Sequence, residues 1–324
     1  MNRSYTILMP VYNDWEAAGQ LLCHLNHHFV ATGHRPKVLL INDGSTRGYR
    51  LSSDDLNDFD AFESVTILSL GTNLGHQRAI AIGIAYLASQ KPLGDVLVMD
   101  SDGEDAPTDV ARLVTAADES VEPTLILALR AKRSENVIFR VFYFLYTSLF
   151  LSLTGYRVRF GNFSFIPKEF LPRLACMPEL WNHYAAAIIK SRLPRASVAT
   201  ARATRLDGVS KMNFVGLVLH GLSAISVFSD VVGVRLLCLS LGFAGVCLLL
   251  ILGILFVRFS TVWAIPGWAT TAVGIATLLF TNALLLAVSF VFFTLSNRTA
   301  NSFVPIRDYQ TFVEDITICK PDPT

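Results

Sequence analysis

Two long stretches near the C-terminus contain no charged residue, and no other feature constrains this 324-residue chain as strongly. The first covers 236–257, between Arg235 and Arg258, and the second covers 259–297, ending before Arg298. A helix of about 20 apolar residues spans the hydrocarbon core of a bilayer, so each stretch predicts a transmembrane helix. Two buried core helices are the alternative, but uncharged runs of this length are rare in soluble cores.

The charged residues indicate an orientation and exclude one class of partner. Lys211 and Arg235 precede the first stretch, while Arg298 and Arg307 follow the second. Because positive residues stay on the cytosolic side, we expect a multi-pass protein of the cell (inner or plasma) membrane with both termini in the cytosol. The net charge of +1 argues against a nucleic-acid partner, since such proteins usually carry a strong basic excess.

Strands and helices alternate along the N-terminal part of the chain. Apolar runs predict strands at 5–11, 37–41, 65–70, 95–99 and 124–129, and helical spacing predicts helices at 15–30, 76–88 and 108–117. This alternation is typical of an α/β domain with a parallel sheet flanked by helices. Ligands of such sheets bind beyond the carboxyl ends of the strands.

Two further apolar segments, 137–153 and 213–229, have helical spacing. We expect both to lie along the membrane surface, although 137–153 could also be a third span. The predicted organisation has four parts. They are a cytosolic catalytic domain at 1–212, a juxtamembrane interface helix at 213–232, a two-helix transmembrane hairpin at 233–298 and a cytosolic C-terminal tail at 299–324.

Acidic residues are concentrated directly after the predicted strand 95–99. Asp100, Asp102, Glu104 and Asp105 place four carboxylates within six residues. Their mutual repulsion favours a bound cation, and hard oxygen ligands suit Mg²⁺ or Mn²⁺ shared with substrate phosphates. We therefore predict Asp100, Asp102 and Glu104 as metal ligands; the alternative is a solvated acidic turn that caps the next helix.

Other polar and basic residues follow the remaining strands. Tyr12 and Asn13 follow the first strand, and Asp43 follows the second, where its carboxylate could accept from a base N–H or a ribose hydroxyl. Arginine and lysine bind phosphates, and the candidates are Arg130, Arg140, Arg205 and Lys211. An ordinary turn at Asp43, and lipid headgroup contacts of the basic residues, are the alternatives.

The ordered motifs resemble those of glycosyltransferase family 2. They are P-V-Y-N at 10–13, N-D-G-S-T at 42–46, N-L-G-H at 73–76, D-S-D-G-E-D-A-P at 100–107 and R-L-D-G-V-S-K at 205–211. More narrowly, they resemble the polyprenyl-phosphate (dolichyl-phosphate type) hexosyltransferases with a paired C-terminal anchor. The resemblance implies a GT-A (Rossmann-like) fold, a divalent cation, a UDP- or GDP-sugar donor and an inverting transfer to a polyprenyl phosphate.

The resemblance also implies roles for individual residues. Asp100 and Asp102 match the family's D-x-D, with Glu104 beside them as a further metal contact. Pro10, Tyr12, Asn13 and Asp43 match nucleotide-contacting loops. The basic residues match positions that hold the donor diphosphate or the lipid phosphate: Arg130 on the donor side, and Arg140, Arg205 and Lys211 on the lipid side. We expect Asp102, Arg140 and Arg205 to be the catalytic residues.

One departure from the family pattern leaves alternatives open. A G-D-F-R stretch of the family reads Gly161-Asn162-Phe163-Ser164 here. A phosphate acceptor is already ionised at neutral pH and needs no base, so Asn162 is compatible with activity. The alternatives are a processive polysaccharide synthase, although no Q-x-x-R-W motif occurs, and a non-catalytic scaffold of a glycan-export complex. Assembly of several copies remains open.

Overall fold

The structure, a computed structural model, describes residues 3–47, 59–130, 137–158, 160–201, 203–207, 214–261, 267–299 and 303–320. Eight strands form a single sheet. The strands are β1 Tyr5–Val11, β2 Lys37–Asn42, β3 Val65–Leu70, β4 Asp95–Val98, β5 Leu125–Arg130, β6 Ser164–Ile166, β7 Arg195–Thr200 and β8 Val313–Lys320. The helices are α1 Trp15–Thr32, α2 His76–Ser89, α3 Pro107–Asp118, α4 Val137–Thr154, α5 Leu171–Ala175, α6 Tyr184–Ser191, α7 Phe214–Ser226, α8 Ser229–Ser260, α9 Trp268–Thr299 and α10 Pro305–Asp308.

The sheet has the strand order β7-β5-β6-β4-β1-β2-β3-β8. β1 pairs in parallel with β2 and β4, and β2 pairs in parallel with β3. Two strands run the other way: β6 is antiparallel to β4 and β5, and β8 is antiparallel to β3. The expected parallel pairing holds for β1 with β2 and β4 and for β2 with β3. The sheet as a whole is mixed, because β6 and β8 lie outside the alternating pattern of strands and helices.

The first five predicted strands are all present, and β1 and β3 have the predicted bounds. Alternate residues of β1 point to opposite faces of the sheet. Ile7 and Met9 join one hydrophobic cluster with helices α1 and α3, and Leu8 joins a second cluster with helix α2. A side chain on Gly83 of α2 would come within 2.4 Å of Leu8, so this glycine lets the helix approach the sheet closely.

By its contacts, the chain divides into two compact units. Unit 1 contains Met1–Leu145, Tyr156–Val227 and Ser302–Thr324, and therefore the whole sheet; unit 2 contains Tyr146–Gly155 and Phe228–Asn301. The segment 299–324, which we predicted as a cytosolic tail, supplies the edge strand β8 of the sheet. The chain thus leaves unit 1 before the two long helices and returns to it after them.

In unit 2, helices α8 and α9 pack against each other through small residues. Ser240, Ala244 and Cys247 of α8 are buried, as are Ala276, Ala283 and Ala287 of α9. Small residues at such spacings let helix backbones approach closely, as in membrane-spanning helix pairs. Large apolar side chains of both helices remain exposed, among them Leu249 at 69% and Phe292 at 70%. Both helices are long and apolar enough to cross a membrane, as Ser229–Ser260 and Trp268–Ser296.

Candidate active site

The sheet topology brings the polar segments of the sequence to one edge. β1, β2 and β4 are parallel neighbours, so the residues that follow Val11, Asn42 and Val98 emerge on the same side. β6 runs antiparallel to β4, with Ser164 opposite Val98, so its amino end lies at this same edge. Two residues beyond the pair Val98 and Ser164, Asp100 follows β4 and Asn162 precedes β6, and their side chains are neighbours.

The loops after β1 and β2 are bonded to each other through Asn13. This residue has a left-handed backbone (φ 52°), which asparagine tolerates better than most residues. Its backbone N–H donates to Ser45 Oγ at 3.0 Å, and its side-chain oxygen accepts from the backbone N–H groups of Thr46 and Arg47, each at 3.0 Å. Tyr12, beside it, is 41% exposed and available to a ligand.

Asp43 is buried and joins the loop after β2 to the loop that precedes helix α2. Its carboxylate accepts from the backbone N–H groups of Leu74 at 2.8 Å and Gly75 at 2.9 Å. Burial raises the pKa of Asp43 more than these bonds and the charges of His76 and Arg78 lower it. Both carboxylate oxygens of Asp43 thus bind backbone N–H groups of the protein and order this loop. The predicted contact of Asp43 with the nucleotide stays a prediction.

Asp102 lies between a backbone donor and a guanidinium group. Its Oδ1 accepts from the backbone N–H of Glu104 at 3.0 Å, and its Oδ2 accepts from Arg205 at 3.2 Å. The same guanidinium also forms an ion pair with Asp14. Desolvation raises the pKa of Asp102, and the nearby charges of Asp100 and Glu104 add to that effect, while Arg205 opposes it.

Backbone contacts hold the segment 203–206 against the acidic loop. The backbone N–H of Leu206 donates to the carbonyl of Asp102 at 3.0 Å, and that of Ala203 donates to the carbonyl of Glu104 at 2.9 Å. Gly103 has φ 83°, and a side chain there would meet Leu206 at 2.4 Å. This packing fixes the position from which Arg205 reaches Asp102.

Asp100 belongs to a second polar group at the same edge. Its Oδ1 lies 3.1 Å from His76 Nε2 and accepts from Asn162 Nδ2 at 3.3 Å. Gln77 donates to the side-chain oxygen of Asn162 at 3.1 Å and accepts from the backbone N–H of Tyr184 at 2.7 Å. Desolvation alone would lower the pKa of His76, but Asp100 and the other carboxylates outweigh it and raise that pKa.

The structure describes the side chains of some of the remaining predicted residues but not those of the others. The carbonyl of Pro10 accepts from Ser101 Oγ at 2.8 Å, which ties the ends of β1 and β4 together. Asp105 Oδ2 accepts from the backbone N–H of Asp100 at 3.1 Å, so its carboxylate supports the turn. Arg130 ends β5 and Arg140 lies in helix α4, but their side chains, like all of Lys211, fall outside the described residues.

Three residues of this site were not predicted from the sequence: Asp14, His76 and Gln77. His76 was part of the N-L-G-H motif, but nothing in the sequence indicated that the start of α2 lies beside the acidic loop. Asn162 was noted only as a departure from a family pattern. The antiparallel pairing of β6 with β4 places it beside Asp100, and a three-residue strand gives too weak a pattern for that pairing to be predicted.

Comparison with known proteins agrees with this fold. The sequence profile described as "Glycosyl transferase family 2" matches residues 6–170. Two curated undecaprenyl-phosphate 4-deoxy-4-formamido-L-arabinose transferases of Klebsiella pneumoniae are each 25% identical over 136 residues, which is 42% of this chain and 39% of theirs. The matched region thus spans about two fifths of the length of these relatives.

Solved structures show a likeness of fold. A crystal structure of M. tuberculosis glucosyl-3-phosphoglycerate synthase superposes with a TM-score of 0.50 and 16% identity, covering 71% of this chain and 81% of that chain. A structure of the same enzyme with Mn²⁺, UDP and glucosyl-3-phosphoglycerate gives a TM-score of 0.49 at 15% identity, covering 71% and 80%. The expected α/β fold of the GT-A type is confirmed, with a mixed sheet.

Proposed function

Because this chain belongs to glycosyltransferase family 2, we propose that it transfers a hexose from a UDP- or GDP-sugar to a polyprenyl phosphate, with inversion, at the cytosolic face of a membrane. One observation carries the proposal: the same chain contains the acidic edge cluster and two helices of membrane-spanning length. A polyprenyl chain stays in the bilayer, since each buried CH₂ contributes about 0.8 kcal/mol. The names of the K. pneumoniae relatives support this class of acceptor.

Asp100 and Asp102, with Glu104 beside them, would hold Mg²⁺ or Mn²⁺ together with the donor. Within the part of the chain that the structure describes, no group of three or more His, Cys, Asp or Glu side chains is arranged to hold a metal ion. Mg²⁺ sites commonly use one or two carboxylates and complete the shell with phosphates and water, which suits this donor set. A bound cation would offset the negative charge of the departing diphosphate.

The loops after β1 and β2 are the proposed binding site of the nucleotide. Pro10, Tyr12, Asn13 and Asp43 supply it, and the bonds of Asn13 to 45–47 hold the two loops together before a ligand arrives. Such pre-ordering lowers the entropic cost of binding. Arg130, at the carboxyl end of β5, is proposed to contact the donor diphosphate.

Arg205 is the proposed contact of the acceptor phosphate, together with Arg140 and Lys211. The guanidinium is already held at the acidic cluster by Asp102 and Asp14. The acceptor is a phosphate monoester, ionised at neutral pH, so the reaction needs alignment and charge neutralisation rather than a base. The neutral amide of Asn162 beside Asp100 is consistent with a site without that base.

We propose the arrangement expected from the flanking charges, with unit 1 cytosolic and α8 and α9 crossing the membrane as a hairpin. Because the chain leaves unit 1 before α8 and returns to it after α9, both ends of the pair belong on one side of the membrane. The apolar helices α4 and α7 are proposed to lie at the interface; Phe144 and Val215 are 68% and 62% exposed. Cysteine labelling at Ser260 and at Thr311 should report opposite sides.

The test is transfer by the purified full chain. It is incubated with a panel of UDP- and GDP-sugars and polyprenyl phosphate, with Mn²⁺ or with EDTA, and the lipid product is analysed by mass spectrometry. We expect one hexose per lipid, loss of activity with EDTA, and loss in Asp102→Asn. Asp60→Asn, an exposed carboxylate outside the site, is the matched control.

The possible products separate the alternatives. A polymer instead of a single added hexose identifies a processive synthase. No consumption of any donor, with a chain that folds and binds no nucleotide, identifies a scaffold. Full activity of Asp102→Asn in the presence of EDTA removes the cation from the proposal.

A further inference from the structure

Residues of helices α2 and α6 hold Asn162 in place through hydrogen bonds. Gln77 of α2 accepts from the backbone N–H of Tyr184 at 2.7 Å and donates to Asn162 Oδ1 at 3.1 Å. Tyr184, the first residue of α6, also has its hydroxyl 2.6 Å from Ser164 Oγ. Ser164 Oγ in turn donates to the backbone carbonyl of Asn162 at 2.9 Å. Two hydrogen-bonded paths therefore lead from Tyr184 to Asn162, one to its side chain and one to its backbone.

The first path fixes which end of the Asn162 amide faces the acidic loop. A backbone N–H can only donate, so Gln77 presents its Oε1 to Tyr184 and its Nε2 to Asn162. Asn162 must then accept with Oδ1. Its Nδ2 group, which carries two hydrogens, faces Asp100 Oδ1 at 3.3 Å and His76 Nε2 at 2.8 Å. The bonds of Gln77 thus make Asn162 a donor to Asp100.

The second path fixes the backbone that carries this amide. The carbonyl of Asn162 can only accept, so it takes the one hydroxyl hydrogen of Ser164, and Tyr184 must donate to Ser164. Tyr184 and Ser164 are fully buried, where a hydrogen bond left unmade is costly. An aspartate at position 162, as in the G-D-F-R pattern, has no N–H group to offer. The donor toward Asp100 therefore depends on the asparagine of this chain.

We propose that Gln77 and Tyr184 are positioning residues, which hold the Asn162 amide with its NH₂ group toward Asp100 and so orient the carboxylate that would bind the cation. The inference rests on the proposed function for the cation, whereas the orientation of the amide rests on the contacts alone. Carboxylates that bind metals are themselves held by hydrogen bonds, and loss of such a partner typically weakens metal binding about 10- to 100-fold. Both residues act through Asn162.

A double-mutant cycle tests this role with the full chain in detergent. The dissociation constant of Mn²⁺ is measured by calorimetry, with UDP and separately with GDP, for the wild type, Gln77→Met, Asn162→Ala and the double variant. Methionine has about the length of glutamine but cannot hold the Asn162 amide. We expect Asn162→Ala to weaken Mn²⁺ binding about 10-fold and Gln77→Met at least about 3-fold. The double variant should bind no more weakly than Asn162→Ala, because it has no amide left to position, whereas a merely structural role predicts losses that add.

Two further variants make the result specific. Gln90→Met makes the same substitution at an exposed position directly after α2 and should leave Mn²⁺ affinity unchanged. Tyr184→Phe removes only the path through Ser164 and should weaken Mn²⁺ binding less than Gln77→Met does, because the bond from the backbone N–H is kept. Wild-type affinity in Gln77→Met, or additive losses in the double variant, overturns the positioning role and leaves the proposed transfer untouched. A wild type that binds no Mn²⁺ with either nucleotide overturns the cation of the proposed function, and this role with it.

Discussion

The contact between the loop after β2 and the loop before α2 can be tested at Gly44. This glycine has φ 62°, and a side chain there would lie 2.5 Å from Asn73 N and from the carbonyl carbon of Thr72. Both are backbone atoms, so the clash cannot be relieved by rotating a side chain. Gly33 offers a matched control, because it has φ 73° but nothing within 4 Å of the same position.

The contacts at the two glycines determine how much each substitution should lower the free energy of unfolding. Gly33→Ala forces a side chain into the left-handed region and should cost about 1–2 kcal/mol. Gly44→Ala adds overpacking of about 1–3 kcal/mol and stretches the bonds of Asp43 to the next loop, each worth about 1.5–3 kcal/mol. We therefore expect a loss of about 4 kcal/mol or more for Gly44→Ala.

Thermal unfolding and nucleotide binding measure the two consequences. For a domain of this size, about 2–4 °C of melting temperature corresponds to 1 kcal/mol, so Gly44→Ala should melt roughly 10 °C below the wild type and Gly33→Ala only a few degrees below it. Gly44→Ala should also weaken the binding of UDP or GDP, whereas Gly33→Ala should not. Equal stability and equal nucleotide affinity of the two variants would refute the reasoning.

Three further predictions concern individual side chains. Burial lowers the pKa of His183 to about 3, whereas the pKa of this histidine in the unfolded chain is about 6.5. Between these two values the unfolded chain binds a proton at His183 that the folded chain does not bind. Stability should then fall as pH falls from about 6.5 towards 3, by up to about 1.4 kcal/mol per unit, and His183→Asn should flatten that slope in melting curves. Asn162→Asp adds a carboxylate beside Asp100, so calorimetry should show tighter Mn²⁺ binding and melting should show lower stability without the cation. Asp14→Asn removes an acidic partner of Arg205. It should raise the KM for polyprenyl phosphate roughly 10-fold with little change in donor affinity. A change in donor affinity alone would place Arg205 at the diphosphate.

Those parts of the fold with a strong local pattern were predicted from the sequence. β1 and β3 are short apolar runs between polar segments, and the structure confirms their predicted bounds. Helix α3 begins at Pro107, at the first-turn position that proline favours. The two uncharged stretches became the helices α8 and α9, because only an apolar helix accounts for runs of that length.

Strands whose existence depends on tertiary pairing were missed. β7 reads R-A-S-V-A-T and is mostly exposed, so neither apolar alternation nor burial indicates it; its pairing with β5 does. β8 follows the two long helices in the chain but pairs with β3, far away in sequence. Edge strands of this kind take their conformation from the neighbour that they pair with, and their own propensity contributes little.

The same distinction applies to the acidic site. Asp100 and Asp102 were selected because four carboxylates cluster after one strand, which is visible in the sequence. Their neighbours come from three distant segments: Arg205 after β7, His76 at the start of α2 and Asn162 before β6. Only the strand order, with β6 antiparallel beside β4, makes Asn162 a neighbour of Asp100.

The charges that surround the two aspartates are consistent with the proposed binding of a cation at this edge. Arg205 lies against Asp102 and His76 lies against Asp100, so each carboxylate already has a basic neighbour. Desolvation nevertheless raises the pKa of Asp102, which means that the charged form is not fully compensated by protein groups. In the proposed reaction, a cation at the aspartates would supply positive charge there, so Asp102 would depend less on its ion pair with Arg205. The guanidinium would then exchange this carboxylate for an oxygen of the acceptor phosphate, which it also binds through paired N–H groups.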